Sequence, residues 1–324
     1  MKQVPFGKTG AIVSEMCLGT MMFGDRCDEN QSNCIVSAAL DKGVTFIDTA
    51  SAYCKGQTEE ILGRILRGWR QRVFLATKVH EGLDYASITA SINKSLKRLQ
   101  TDFVDLYIIH WPQEGMQPAE IMRALNDVVR SGKTRFIGCS NYPAWLFAYS
   151  NAIARANGWP EFTSNQVPYN PIERGIEVEI LPQAVAENIA ITVYRPLAMG
   201  LLSGKYRPGG PIPSDARGTS DERLVHWLEK YGSGVSFFLN FAEIKKIPPV
   251  SLGIAWVRSS AAACYPIVGI SRISQLGEII KSFDFVLSPE ERSKISNAFG
   301  AEVKEEAGGK FPGLRREFLF TQPP

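Results

Sequence analysis

The sequence contains few of the residues that build metal centres and disulfide frameworks. Its 324 residues include three histidines and six cysteines, and no pair of cysteines has the C-x-x-C spacing. Zinc sites and disulfide-rich folds need clustered ligands or paired thiols, so we expect no metal site and reduced cysteines. Cys54, beside Tyr53, is interpreted as a small loop residue.

Long apolar runs and clusters of positive charge are also missing from the sequence. The formal net charge is +3, and lysine and arginine are scattered along the chain, so no nucleic-acid partner is predicted. The N-terminus, MKQVPFGKTG, lacks the apolar core of a signal peptide, and no run of ~18 apolar residues occurs, so no membrane partner is predicted. We expect a cytoplasmic protein that acts on a small molecule, as a monomer or a weak homo-oligomer.

The composition is otherwise typical of a globular protein. Hydrophobic residues make up 44% and charged residues 21% of the chain, so a packed core is expected. No change in composition divides the sequence, and no repeat of solenoid period occurs. Because α/β barrels commonly reach ~250 residues or more as one unit, we predict a single domain over residues 1–324.

Short apolar runs alternate with longer amphipathic segments. Eight runs have the character of buried strands: 16–19, 44–47, 73–76, 104–109, 135–138, 162–167, 189–194 and 265–268. Helix candidates between them are 31–41, 59–66, 85–99, 119–130, 145–156 and 177–187. One helix per strand predicts an α/β fold, a (β/α)8 TIM barrel preceded by an N-terminal β-hairpin.

Two segments interrupt this alternation. Residues 207–220 are rich in proline, glycine and serine and form a long loop after the seventh strand. Loops of this length often act as lids or binding segments. The tail after Gly300 loses the helical pattern, and we expect it to lie over the active-site face.

Polar or charged residues end several of the apolar runs, where a core strand would continue with an aliphatic residue. They are Asp48, Lys78, His110, Ser140, Asn141, Gln166, Tyr194 and Arg195. Each alone has an ordinary interpretation, such as a helix cap, a solvated lysine or a core histidine. In a barrel, however, these carboxyl ends meet on one face, where active sites are built. A buried charge needs a partner, so we expect Asp48 and Lys78 to pair.

These residue types suit the reduction of a carbonyl group. Hydride addition builds negative charge on the carbonyl oxygen, which needs a proton donor at about 3 Å. A tyrosine, with a pKa of about 10, is a weak acid at neutral pH. We expect the Lys78 ammonium to lower the pKa of Tyr53, while Asp48 holds the lysine. His110 would orient or polarise the carbonyl.

Seven segments, in order, resemble the signature segments of aldo-keto reductases. They are LGTMMFG (18–24), GVTFIDTASAY (43–53), ATKV (76–79), DLYIIHWP (105–112), GCSNY (138–142), QVPYNP (166–171) and YRPLAMGLLSGKY (194–206). The resemblance spans residues 4–299 and is nearest to the bacterial-type branch that includes potassium-channel β subunits. It implies NADPH-dependent reduction of an aldehyde or ketone. The implied catalytic tetrad is Asp48, Tyr53, Lys78 and His110, with Tyr53 as the proton donor.

The resemblance also implies how NADPH/NADP+ is held, since no G-x-G-x-x-G fingerprint follows a strand. Ser140, Asn141 and Gln166 would hold the nicotinamide carboxamide, and Tyr194 would stack on the nicotinamide ring. Arginine suits a bidentate phosphate contact, so Arg272 favours NADPH over NADH. Leu197, Gly200 and Lys205 would line the pyrophosphate, with Arg217 reaching over it. Ser271, Arg272 and Gln275 would meet the 2′-phosphate, and Glu278 the adenine side. The implied contacts are Gly19, Thr20, Ser140, Asn141, Gln166, Tyr194, Arg195, Leu197, Gly200, Lys205, Arg217, Gly269, Ser271, Arg272, Gln275 and Glu278.

Two residues depart from the family pattern. Ile279 stands where an asparagine usually touches adenine, so that hydrogen bond is expected to be missing. Arg195 stands where a serine is common, and it either contacts the pyrophosphate or points into the substrate mouth.

An apolar wall beside the tetrad is implied for the substrate. By family analogy it contains Met21, Met22, Phe23 and Trp111, and the tail residues Phe318 and Phe320 could close the pocket.

A regulatory module that senses NADPH without turnover is the main alternative function. A barrel hydrolase or lyase is a third, but it would need a metal cluster, paired carboxylates or a Schiff-base lysine.

Overall fold

Eight parallel strands close into a barrel in the computed structural model, which describes residues 1–212 and 221–300. The hairpin strands are β1 (Gln3–Pro5) and β2 (Ile12–Ser14), and the barrel strands are β3 (Cys17–Gly19), β4 (Phe46–Asp48), β5 (Phe74–Val79), β6 (Val104–Ile109), β7 (Thr134–Ser140), β8 (Phe162–Pro168), β9 (Ala190–Tyr194) and β10 (Cys264–Gly269). Neighbours follow chain order, and β10 closes the barrel against β3. The predicted TIM barrel and N-terminal hairpin are confirmed.

All eight predicted apolar runs lie on barrel strands, and the largest difference is at the end of β5. The sequence suggested an end at Ala76, but the strand continues to Val79. Thr77 and Lys78 pair with Tyr107 and Ile108 of β6 through their backbones. A polar side chain does not interrupt this pairing because the ladder is made by main-chain groups.

Helices lie between the strands and follow β10. They are α1 (Glu29–Asp41), α2 (Gln57–Leu66), α3 (Tyr85–Leu99), α4 (Pro118–Arg130), α5 (Ala144–Asn157), α6 (Ile180–Glu187), α7 (Glu222–Lys230), α8 (Gly232–Lys245), α9 (Pro249–Arg258), α10 (Ser274–Lys281) and α11 (Pro289–Ala298). The first five match the predictions within two residues. The α6 prediction was wrong at its start, because Gly175–Glu177 forms a separate 3-10 turn. Helices α7 to α11 had not been predicted.

Side chains of each strand alternate between two cores. On β5, Phe74 and Ala76 belong to the core inside the barrel, whereas Leu75 and Val79 belong to the core between strands and helices. This period of two puts Lys78 inside the barrel and Thr77 on its helix side.

The N-terminal hairpin closes the amino end of the barrel. Phe6, which is fully buried, lies between Phe46, Phe74 and Tyr265 with ring-centroid distances of 5.5, 5.1 and 5.2 Å. These aromatic rings fill the base of the barrel, so a polar site can form only near the carboxyl ends of the strands.

The predicted long loop and tail fall largely outside the described residues. Positions 213–220 and 301–324 are not described, and this includes Arg217, Phe318 and Phe320. Within the described part of the chain, no helix combines the length and the apolar character that crossing a membrane requires.

Removing the Phe6 ring should destabilise the protein without reaching the polar end of the barrel. We expect Phe6→Ala to lower the free energy of unfolding by about 3–5 kcal/mol, because it leaves a cavity among fixed aromatic rings. Urea unfolding measures this. Ile12→Ala is the matched control on the same hairpin, since Ile12 is 58% exposed. A loss for Phe6→Ala no larger than for the control would contradict the role of the hairpin as a plug.

Candidate active site

The barrel brings the four predicted tetrad residues to one end. Asp48 is the last residue of β4, Lys78 lies near the end of β5, and His110 directly follows β6. Tyr53 begins a short 3-10 turn between β4 and α2. Parallel strands have their carboxyl ends on the same face, which is why residues so distant in sequence meet here.

Asp48 and Lys78 form the predicted ion pair, buried at 2% and 0% exposure. The ammonium nitrogen of Lys78 lies 2.7 Å from Asp48 Oδ2, 2.8 Å from the carbonyl oxygen of Thr49 and 3.2 Å from Tyr53 Oη. All three ammonium protons therefore have acceptors. Burial alone would lower the pKa of Lys78, but Asp48 and Tyr53 raise it above its ordinary value, so the lysine stays charged.

Lys78 lowers the pKa of Tyr53 as expected, but the net pKa is raised above its ordinary value, so the predicted net decrease was wrong. Burial raises the pKa of Tyr53, and although Lys78 opposes this, Asp48 raises it further. The physical reason is that burial removes the solvation of the phenolate, and this effect outweighs the stabilisation that Lys78 provides. Tyr53 therefore keeps its proton at neutral pH.

His110 is held in the neutral form. Its ring centroid lies 6.1 Å from that of Tyr53 and 5.5 Å from that of His80. Burial lowers the pKa of His110 to about 2, with Lys78 and His80 contributing in the same direction. Its buried Nδ1 has no hydrogen-bond partner among residues 1–212 and 221–300. A neutral imidazole at this position can orient a polar ligand without adding charge.

The residues predicted to hold the nicotinamide amide form one hydrogen-bonded group. Asn141 donates from Nδ2 to Ser140 Oγ at 2.8 Å and accepts at Oδ1 from the Tyr194 hydroxyl at 2.8 Å. Gln166 donates from Nε2 to Asp48 Oδ1 at 2.9 Å. This last bond joins the amide group to the ion pair. Asn141 has a φ of 62°, a left-handed conformation that asparagine adopts more readily than most other residues.

Gly19 ends β3 opposite Asp48, and Thr20, which follows it, supports the Asp48 backbone. Both the backbone nitrogen and the hydroxyl of Thr20 donate to the Asp48 carbonyl oxygen, at 3.1 and 2.9 Å. A Cβ at Gly19 would lie only 2.8 Å from Ile267 Cγ2, so a side chain does not fit there. The sequence reasoning gave these two residues a cofactor role only.

Arg195 points toward the loop after β8. Its Nη1 lies 3.4 Å from Glu173 Oε1, and its guanidinium carbon lies 5.3 Å from the centre of the Tyr194 ring. Its carbonyl oxygen accepts from Asn170 Nδ2 at 3.0 Å, and its φ is 55°. Neither Glu173 nor Asn170 was anticipated, because single loop residues carry no periodic signal.

The predicted pyrophosphate residues lie in and beside the turn Ala198–Ser203. Leu197 precedes this turn, Gly200 lies within it with a φ of 99°, and Lys205 follows it with an exposed side chain. A residue other than glycine would be strained at position 200.

Of the predicted 2′-phosphate residues, Ser271 and Arg272 lie between β10 and α10, and Gln275 lies in the first turn of α10. Gln275 Oε1 accepts from the backbone nitrogens of Ser271 and Arg272, both at 3.0 Å. The side chains of Arg272 and Glu278 are exposed, whereas Ile279 is 6% exposed and belongs to the main core. The core position explains why an apolar residue fits at 279.

The expected apolar wall is only partly present in the described residues. Trp111 stacks against His110 with ring centroids 6.4 Å apart, and Met21 is 49% exposed. Phe23, however, is fully buried in the main core, so its inclusion in the wall was wrong. The sequence analysis did not predict that His80, two positions after Lys78, would lie in the site beside His110.

A closed α/β barrel with a buried Asp–Lys–Tyr group and an amide cluster at its polar end defines a class of oxidoreductase. The Aldo/keto reductase family model matches residues 15–298, and the chain belongs to this family. It is an oxidoreductase, as sequence reasoning predicted.

Curated relatives match nearly the whole chain. The uncharacterized oxidoreductase YrpG of Bacillus subtilis is 32% identical, with 94% of this chain and 99% of that protein covered. Norsolorinic acid reductase B of Aspergillus parasiticus is 31% identical, with 96% and 86% covered. A probable voltage-gated potassium channel subunit beta of Arabidopsis thaliana is 30% identical, with 94% and 98% covered.

Acid should destabilise the protein through His110. The residue has a folded pKa of about 2 against an ordinary 6.5, so it binds a proton only after unfolding. Stability present above pH ~6.5 is therefore lost as the pH falls, by about 1.4 kcal/mol per pH unit from this residue.

Urea unfolding of the wild type and His110→Gln between about pH 7 and pH 5 measures this slope. His226→Gln is the control, because His226 is exposed on α7. We expect a shallower slope for His110→Gln alone. Equal slopes for all three proteins would contradict the assignment of a buried neutral imidazole.

Proposed function

We propose that this protein reduces an aldehyde or ketone to an alcohol with NADPH, with Tyr53 as the proton donor. The observation that carries the proposal is the 3.2 Å contact between Tyr53 Oη and the ammonium of Lys78, itself paired with Asp48. A phenol beside a fixed buried cation suits a reaction that places negative charge on an oxygen atom. We further propose that residues 1–324 act as one domain.

The donor set of the described residues fits a dinucleotide with several phosphates. Lys205 and Arg272 are exposed cations, and Ser271 adds a hydroxyl beside Arg272. Ser140, Asn141 and Gln166 supply amide and hydroxyl groups for a carboxamide, and Tyr194 supplies a ring for stacking. When bound, NADPH would supply the hydride.

Tyr53 would deliver the proton to the carbonyl oxygen. Its raised pKa keeps the proton in place until negative charge develops on the substrate oxygen. Lys78 then stabilises the phenolate through the contact that already exists, and Asp48 holds the lysine in position. In the reverse direction, the same phenolate would accept a proton from an alcohol.

Neutral His110 would orient the carbonyl oxygen near Tyr53. An imidazolium in this position would compete with Tyr53 as the acid, and burial prevents it from forming. Trp111 and Met21 would contact the apolar part of the substrate, as expected for a pocket with few polar groups. An aromatic or aliphatic aldehyde or ketone suits this lining.

A regulatory module that binds NADPH with little turnover is the second candidate. It is favoured by the 30% identity to a protein whose name is potassium channel subunit beta. The complete hydrogen-bonded group of Asp48, Lys78 and Tyr53 favours catalysis instead. NADPH oxidation with a panel of aldehydes, ketones and dicarbonyls distinguishes them, since tight binding without turnover on any carbonyl would support the module.

Tyr53→Phe should remove turnover and keep cofactor binding. We expect kcat to fall by about 10²- to 10⁴-fold, the usual contribution of a general acid, because only the hydroxyl is lost. NADPH absorbance gives the rate, and NADPH fluorescence gives the Kd. Tyr149→Phe is the control, since Tyr149 lies on α5 with 37% exposure. A near-normal rate for Tyr53→Phe would rule out the proton-donor role.

Arg272→Ala should weaken NADPH much more than NADH. A charged hydrogen bond to phosphate is worth about 1.5–3 kcal/mol, so we expect the Kd for NADPH to rise by about 10- to 100-fold. NADH lacks the 2′-phosphate and should be little affected. Lys281→Ala, an exposed cation on α10, is the control for general charge effects. Equal losses for both cofactors would remove Arg272 from the 2′-phosphate site.

A further inference from the structure

A second buried carboxylate lies directly behind the tetrad and has no part in the proposed proton transfer. Glu59, in the first turn of α2, is 0% exposed. Its Oε1 accepts from Thr77 Oγ1 at 2.6 Å, and its Oε2 accepts from Arg98 Nε at 2.7 Å. Every charge in this network has a partner, as a buried carboxylate requires.

The network joins the two chain segments that carry Tyr53 and Lys78. Thr77 precedes Lys78 on β5 and points to the helix side of the barrel, while Lys78 points inward. Glu59 belongs to α2, which begins at Gln57, four residues after Tyr53. The hydrogen bond from Thr77 to Glu59 therefore fixes α2 against the strand position next to Lys78.

The segment between Tyr53 and α2 needs such support because its backbone is strained. Cys54 and Lys55 have φ values of 46° and 55°, which are unfavourable for residues other than glycine, and Gly56 follows with a φ of 94°. Such conformations persist only where surrounding contacts hold them. Arg98 provides one contact, since a Cβ on Gly56 would lie 2.9 Å from its Cδ and Nε atoms. The side chain that neutralises Glu59 thus also packs on this turn.

We infer that Glu59, through Thr77 and Arg98, is a positioning residue that sets the distance between Tyr53 Oη and the Lys78 ammonium. The inference rests on the proposed function for its kinetic consequence only. Loss of the network would let α2 and the Tyr53 turn move relative to β5. The phenol would then lie farther from Lys78, while the cofactor residues on β7 to β10 would keep their places.

A matched network at the amino ends of β5 and β6 provides the control. Asp105 is 3% exposed and accepts from Arg70 Nη2 at 2.8 Å, Arg135 Nη1 at 3.0 Å and the backbone nitrogen of Leu75 at 3.0 Å. Leu75 and Asp105 lie at the amino ends of β5 and β6, away from the tetrad. Replacing Asp105 shows how much the loss of a buried, paired carboxylate lowers stability when the tetrad is not disturbed.

The experiment compares the wild type with Thr77→Val, Thr77→Ser, Glu59→Gln and Asp105→Asn. Thr77→Val removes the donor with little change in shape, and Thr77→Ser retains it. Steady-state reduction of 4-nitrobenzaldehyde gives kcat and KM, and fluorescence gives the NADPH Kd. Without cofactor, ¹³C NMR of tyrosine Cζ follows the titration of Tyr53. The Tyr53 signal is assigned as the one that is missing from the spectrum of Tyr53→Phe.

For Thr77→Val and Glu59→Gln, we expect kcat to fall by about 10- to 100-fold with little change in NADPH Kd, as for a misplacement of about 1 Å. The pKa of Tyr53 should rise further because the lysine is more distant. Thr77→Ser should behave like the wild type. Asp105→Asn should lower the melting temperature and leave kcat and the Tyr53 titration unchanged.

Two other outcomes are distinguishable. If Thr77→Val lowers the melting temperature but leaves kcat and the titration as in the wild type, Glu59 is only a structural residue and the inference is wrong; this holds even if Glu59→Gln fails to fold. If the wild type reduces no carbonyl, the proposed function fails, but the Tyr53 titration still decides whether the network positions the phenol.

Discussion

The ion pair of Asp48 and Lys78 is the interaction on which the polar end of the barrel depends. A fully buried ammonium is tolerated only because Asp48, the Thr49 carbonyl and the Tyr53 hydroxyl accept its three protons. Asp48 is held in turn by Gln166 through its carboxylate and by Thr20 through its carbonyl oxygen. Removal of either charge would leave the other unpaired in a medium of low polarity.

Burial shifts the pKa values of Tyr53 and His110, which lie beside the ion pair, in opposite directions and keeps both side chains neutral. It raises the pKa of Tyr53 and lowers that of His110, since each loses solvation of its charged form. The site therefore contains one fixed ion pair beside two neutral groups. The proposed carbonyl reduction would use such a neutral phenol as the proton donor, next to a lysine whose pKa is raised by Asp48 and Tyr53.

The rest of the fold separates this polar end from the core. Phe6 and its aromatic neighbours fill the amino end, and the outer helices cover the strands. Glu59 and Thr77 extend the polar network through the wall of the barrel, so the Tyr53 turn is fixed from outside as well as inside. The strained residues after Tyr53 show that this geometry is imposed by tertiary contacts.

The sequence by itself determined the barrel and its eight strands, because the alternation of apolar strand segments with amphipathic helix segments is a local signal. It also determined the Asp48–Lys78 pair, because both charges end apolar strands and a lone buried charge is costly. It also predicted that Tyr53 and His110 lie at the same end of the barrel as this pair, and they do. Only the tertiary structure decided that Tyr53 has a raised pKa, since that depends on its burial and, to a smaller extent, on the charge of Asp48. It likewise decided that Phe23 lies in the core and that Glu59 meets Thr77 and Arg98, because these contacts join residues whose spacing in the chain has no period.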